Sequence, residues 1–261
     1  MIRKALVIAV LLAWPALGHA QSLSITGPAR SGLLEGELYR ITWKATGLKG
    51  ISVVATGERT PLGTNSRGTF TTIIAESAPA SRGTAPWRVP WIDAVELTIK
   101  VKGYDARGQL VATDMRRYHF RPAVMAHRMK NGIYLDLHLP RRQRLYVQRD
   151  GRITHAFLSS SSARYSWQPR NRHPAAPHDH AGVYRVLEKR KMHWSQLFDV
   201  PMPYAIRYHG GHFIHATSRN LYAHLGRPAS AGCNRLTRHD ASLLYQMTPI
   251  GTRVEVIGPG G

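Results

Sequence analysis

One pattern repeats from Leu38 to Ile257 and narrows the fold more than any other feature of the chain. Short runs of β-formers alternate with Gly, Pro, Asn and Asp punctuation. Residues 38–43, 51–55, 69–75, 95–101 and 118–120 are such runs in the first half. In the second half, Ile133, Leu135, Leu137 and Leu139 alternate with Tyr134, Asp136 and His138, a period of two that marks a strand with distinct faces. Residues 144–148, 153–158, 182–187, 202–208, 212–216 and 253–257 continue the pattern, with Arg149-Asp150-Gly151 and His209-Gly210-Gly211 as hairpin turns. Helical signals gather at one place. Thr237 is an N-cap candidate with Asp240 at N3, Leu236 and Ala241 form a staple, and Leu244 and Met247 extend the apolar face until Thr248-Pro249. The expected fold class is mainly β, with one short helix near the C-terminus.

The chain of 261 residues opens with a basic pair, Arg3 and Lys4, then an apolar run from Ala5 to Trp14 and small residues at Gly18 and Ala20. This predicts a signal peptide over residues 1–20, with export to the periplasm and no integral membrane segment after cleavage. The remaining length suits two β domains, expected at 21–121 and 122–261, with the non-periodic stretch 121–127 as the link. A formal charge of +21, reduced to +19 without Arg3 and Lys4, fits an anionic polymer outside the cytoplasm. Export and the lack of a recognition-helix or RNA-binding pattern argue against a nucleic-acid partner.

The run G-P-A-R-S-G-L-L-E-G-E-L-Y-R-I-T-W resembles the opening of immunoglobulin-like modules, which implies a β-sandwich over 21–121. Its residues offer no chemical cluster, so it reads as a wall-binding module or a spacer. Ser159 to His180 is polar with three prolines and reads as a long loop. His178-Asp179-His180 within it has metal-ligand spacing, but local spacing places no third ligand. No metal or other cofactor is expected.

Cys233 is the only cysteine, so it forms no disulfide within the chain. It is either a buried inert thiol or a reactive one. His215 lies eighteen positions upstream (233 − 215 = 18) and shares a strand face with Phe213, opposite Ile214. The small residues Ser230, Ala231 and Gly232 precede the thiol, and the expected helix follows it. Amides beside a helix N-terminus stabilise a thiolate or an oxyanion, so a nucleophilic acyl-transfer site is the reading these residues favour.

The stretches I-H-A-T, L-G-R-P-A-S-A-G-C-N-R-L, D-A-S-L-L-Y and G-T-R-V-E-V, with upstream G-V-Y and M-P-Y-A-I, together resemble the L,D-transpeptidase (YkuD-type) catalytic domain over roughly residues 127–257. Three positions depart from the family pattern. Ala231 stands where the motif has a second histidine, Asn234 where it has an apolar residue, and Ala216 where a glycine is common. The resemblance implies a cysteine-dependent acyl transfer on peptidoglycan stem peptides through a thioester at the L-centre of diaminopimelate. It makes Cys233 the nucleophile and His215 the base, with Gly232 and Cys233 amides at the oxyanion and Ser230 in support. Arg235 is expected to bind a substrate carboxylate or to form a structural ion pair; Tyr204 and Met202 are expected to line the cleft or the core. The acceptor is a stem amine, or an outer-membrane or wall-attached protein. With water as acceptor the enzyme is a hydrolase of such linkages. A third reading, motivated by Ala231, is a wall-binding protein with a weakened site.

Overall fold

The computed structural model describes residues 20–59, 68–92, 94–137, 143–161 and 181–258. The expected leader, apart from Ala20, and the His178-Asp179-His180 pair lie outside the described residues.

The first half contributes strands β1 (Ser22–Gly27), β2 (Gly32–Leu34), β3 (Leu38–Thr46), β4 (Gly50–Arg59), β5 (Gly68–Pro79), β6 (Thr84–Arg88), β7 (Glu96–Tyr104) and β8 (Leu110–Arg121). They form a three-stranded sheet, β1-β3-β6, and a five-stranded sheet, β2-β8-β7-β4-β5. Alternate residues of each point inward, as period two requires. Ile41, Trp43 and Trp87 of the first sheet meet Val53, Leu97, Ile99, Val101 and Phe120 of the second in one core. At roughly 1.5–3 kcal/mol for each large apolar side chain buried, this shared core is what holds the two sheets together.

The second half contributes β9 (Gly132–Asp136), β10 (Arg144–Arg149), β11 (Arg152–Leu158), β12 (Gly182–Arg185), β13 (Glu188–Ser195), β14 (Val200–His209), β15 (His212–Ala216), β16 (Asn234–Leu236) and β17 (Arg253–Ile257), with helix α1 (Arg238–Met247). One sheet runs β11-β10-β9-β17-β12 and the other β13-β14-β15-β16. Ile133, Leu135, Val147, Val254 and Val256 of the first meet Ile206, Ile214 and Leu236 of the second, and Ala241 and Leu244 of α1 fill the same core. Thr237 Oγ1 accepts from the Asp240 amide at 3.1 Å, satisfying one of the donors a helix start leaves open.

The stretch expected to be a simple link is packed. β8 runs through Arg121, and a 3₁₀ turn at Ala123–Met125 follows, with Met125 fully buried. Met125 joins Tyr134, Tyr146, Ile153 and Ile257, against Val95 and Val124, in a core that both halves line. Arg121 donates to the carbonyls of Met125 and Gly151 and to Gln148 Oε1, while Glu35 Oε2 accepts from the Ala123 amide at 2.8 Å.

Candidate active site

The β15–β16 pair positions the two residues that the sequence singles out, His215 and Cys233. The strands are parallel and in register His215 with Arg235. Arg235 therefore shares the face of His215 and Phe213, and Cys233 stands just before the start of β16. Packing puts Cys233 on that same face, because it lies against a cluster of Met202, Ala205 and Phe213. Ile214, Ala216 and Leu236 point the other way, into the main core. That core fixes the register, since a one-residue slip would turn Arg235 inward.

His215 is 6% exposed. Its Nδ1 lies 2.8 Å from the Ala216 carbonyl. A carbonyl only accepts, so Nδ1 carries the proton and Nε2 keeps its lone pair. Burial is the main force lowering its pKa to about 4; the Ala216 bond opposes this, and the nearby Arg235 and His193 side chains add to it. The ring is neutral at pH 7.

Cys233 is half-buried, with Sγ 3.9 Å from the Gly211 carbonyl. Gly232 has φ 144°, a value glycine adopts at little cost. The Ser230 hydroxyl spans the motif. It accepts from the Gly232 amide at 3.2 Å and donates to the Cys233 carbonyl at 2.5 Å. The Gly232 N–H expected at the oxyanion is thus engaged by Ser230, which makes Ser230 the residue that sets the curvature of the loop. The loop is pinned from outside as well, since the Ala229 and Ser230 amides both donate to the Ser161 carbonyl. β16 intervenes between Cys233 and the Thr237 cap, so the amides at the thiol belong to this loop and not to the helix terminus.

Arg235 Nη1 donates to the Ala229 carbonyl at 3.0 Å, so the guanidinium braces the same loop. Met202 is buried against Cys233. Tyr204 faces away from it: the side chain packs with the main core, its ring 5.9 Å from Tyr245 and beneath Arg238. Tyr204 has φ 55°. This left-handed residue breaks the alternation of β14, so Met202 and Ala205, an odd number apart, meet on one face. Asn234, where the family pattern has an apolar side chain, is fully buried with Nδ2 2.9 Å from Tyr208 Oη.

One residue of this face escaped the sequence. His193, on β13, stacks on Phe213 at 4.7 Å between ring centroids. Its only signal was an alternation of Met192, His193 and Trp194, short and hidden behind four charged residues. Among the described residues no group of three or more His, Cys, Asp or Glu could hold a metal ion.

Residues 132–256 match the family model of the L,D-transpeptidase catalytic domain, YkuD. The chain is similar to a solved L,D-transpeptidase from Xylanimonas cellulosilytica DSM 15894, at 27% identity and a TM-score of 0.44, over 52% of this chain and 64% of that one. It is similar to the L,D-transpeptidase of Stackebrandtia nassauensis at 26% identity and a TM-score of 0.40, over 51% and 59% of the two chains. A third, from Mycobacterium smegmatis, has 14% identity and a TM-score of 0.37, over 91% of this chain and 100% of that one. The chain therefore spans less than two thirds of the first two. No curated protein matches it. By the family match, residues 132–256 are a YkuD-type L,D-transpeptidase catalytic domain.

Proposed function

We propose that this chain is an exported peptidoglycan L,D-transpeptidase that transfers an acyl group through a thioester on Cys233. The observation that carries the reading is the packing of Cys233 against Phe213, on the face of β15 that also carries His215, inside the segment that matches the family. The Arg3-Lys4 pair and the apolar run that follows support export to the periplasm. Among the described residues no helix is long and apolar enough to cross a membrane.

In the first step Cys233 Sγ attacks the carbonyl at the L-centre of diaminopimelate in a tetrapeptide stem. The S–C bond forms as the thiol proton passes to His215 Nε2. The C–N bond to the terminal D-Ala then breaks, and the proton goes to the leaving amine. In the second step an amine of another stem or of a wall-attached protein attacks the thioester and gives its proton back through His215 to the thiol. An imidazolium of pKa about 4 is a far stronger acid than an ordinary thiol near 8.5, a gap on the order of 6 kcal/mol. His215 is therefore neutral at rest, and it takes the proton as the carbonyl is attacked.

A carbapenem, an acyl donor for this family, tests the reading. The full-length protein is expected to gain one covalent adduct by intact mass, and Cys233→Ala none. Absence of the adduct from the wild type contradicts the proposal.

A further inference from the structure

His193 is half-buried on a strand whose neighbours Met192 and Trp194 are exposed. It lies opposite Met202 across the β13–β14 ladder. Its ring stacks on Phe213 at an interplanar angle of 22°, and Phe213 and Met202 both pack with Cys233. His193 also contributes to the electrostatic field that His215 feels. It thus belongs to the face that carries the thiol.

Its tautomer is set by a neighbour. Arg190 Nη1 lies 3.4 Å from His193 Nδ1. A guanidinium only donates, so Nδ1 accepts and Nε2 carries the proton. His215 has the opposite arrangement, with Nδ1–H given to the Ala216 carbonyl. One face therefore presents one imidazole with a free lone pair as base and a second with an N–H as donor. The surrounding charge favours an anion. From 188 to 209 the chain has Lys189, Arg190, Lys191 and Arg207 against Glu188 and Asp199, a net of +2 (4 − 2). Glu188 itself takes bonds from both Arg190 and Arg207.

We propose that His193 is a substrate-contacting residue of the Cys233 site, its Nε2–H donating to a carboxylate of the bound peptide stem. The choice of ligand rests on the proposed function; the donor and its place on the Phe213–Met202 face do not. Charge-assisted hydrogen bonds are the strong ones, and a donor here supplies from β13 a second imidazole that the sequence lacks at Ala231.

Equilibrium binding tests this without turnover. The full-length Cys233→Ala protein is titrated by calorimetry with the tetrapeptide L-Ala-D-Glu-diaminopimelate-D-Ala, and with the same peptide amidated at every carboxylate. Adding His193→Phe keeps a ring on Phe213 but removes the donor, and is expected to weaken the carboxylate peptide on the order of tenfold. His193→Gln restores an N–H and most of the affinity, and the amidated peptide binds all three proteins alike. Equal affinity with and without the His193 donor, an equal loss for both peptides, or no binding of the carboxylate peptide overturns the proposal. Peptide binding that depends on His193, in a protein whose wild type takes no carbapenem adduct, refutes the transpeptidase and leaves the role of His193 standing.

Discussion

The Ala216 carbonyl decides where the proton of His215 sits, and burial decides how reluctantly the ring takes a second one. The consequence reaches stability. The folded ring has a pKa of about 4 against 6.5 for an ordinary histidine, so between those values the unfolded chain binds a proton that the folded chain refuses. This contribution is complete above pH 6.5 and is lost as pH falls toward 4, by about 3 kcal/mol in all. Urea unfolding at pH 7, 5.5 and 4 should show the loss, and His215→Gln should remove that share of it. His155, held low by burial and Arg149, acts in the same direction. Glu188 and Glu255, both held below the ordinary carboxylate value by arginine partners, act only at lower pH. A second residue-scale expectation concerns the buried pair of Asn234 and Tyr208. Tyr208→Phe alone leaves the Asn234 amide without its partner and should destabilise by about 1–3 kcal/mol. Adding Asn234→Leu should recover most of that, as a thermal-melt double-mutant cycle would read.

At the scale of elements, the hairpin of β13 and β14 shapes the site, and the sequence conveyed it unevenly. In β14, Pro201 and Pro203 lie opposite Trp194 and Met192 of the edge strand β13, outside the 206–209 end that pairs with β15. β13 escaped the sequence reading because it is an edge strand, and Glu188 to Lys191 are charged, as edges commonly are. His193 was hidden with it. The β9 alternation was legible, yet Tyr134 and Asp136 are buried too, because the main core covers one face and the core around Met125 the other. The Thr237 cap, the Gly210-Gly211 turn and the shared face of His215 and Phe213 were all readable, since each depends on local chemistry. The curl of the motif through Ser230 was not, because it depends on a hydroxyl reaching two backbone groups. Ser230→Ala should therefore slow carbapenem acylation of Cys233 by roughly tenfold or more, since a mis-set reacting group is costly in rate. Unchanged acylation would show that the loop keeps its shape without the clamp.

Across the whole molecule, Arg121 ties the end of β8 to the carbonyls of Met125 and Gly151 and to Gln148. Arg121→Met leaves those acceptors without a charged donor. It should lower stability by roughly 3 kcal/mol, read as a fall in Tm, while carbapenem acylation at Cys233 is unchanged below the transition. The central claim is that the thiol of Cys233 exchanges the terminal D-Ala of a stem for another amine. Its most direct test is to incubate the purified full-length protein with tetrapeptide muropeptides and to measure free D-Ala and cross-linked dimers by mass. The account predicts D-Ala release matched by dimer formation, both absent with Cys233→Ala. D-Ala released without dimers, or release that persists in Cys233→Ala, would contradict it.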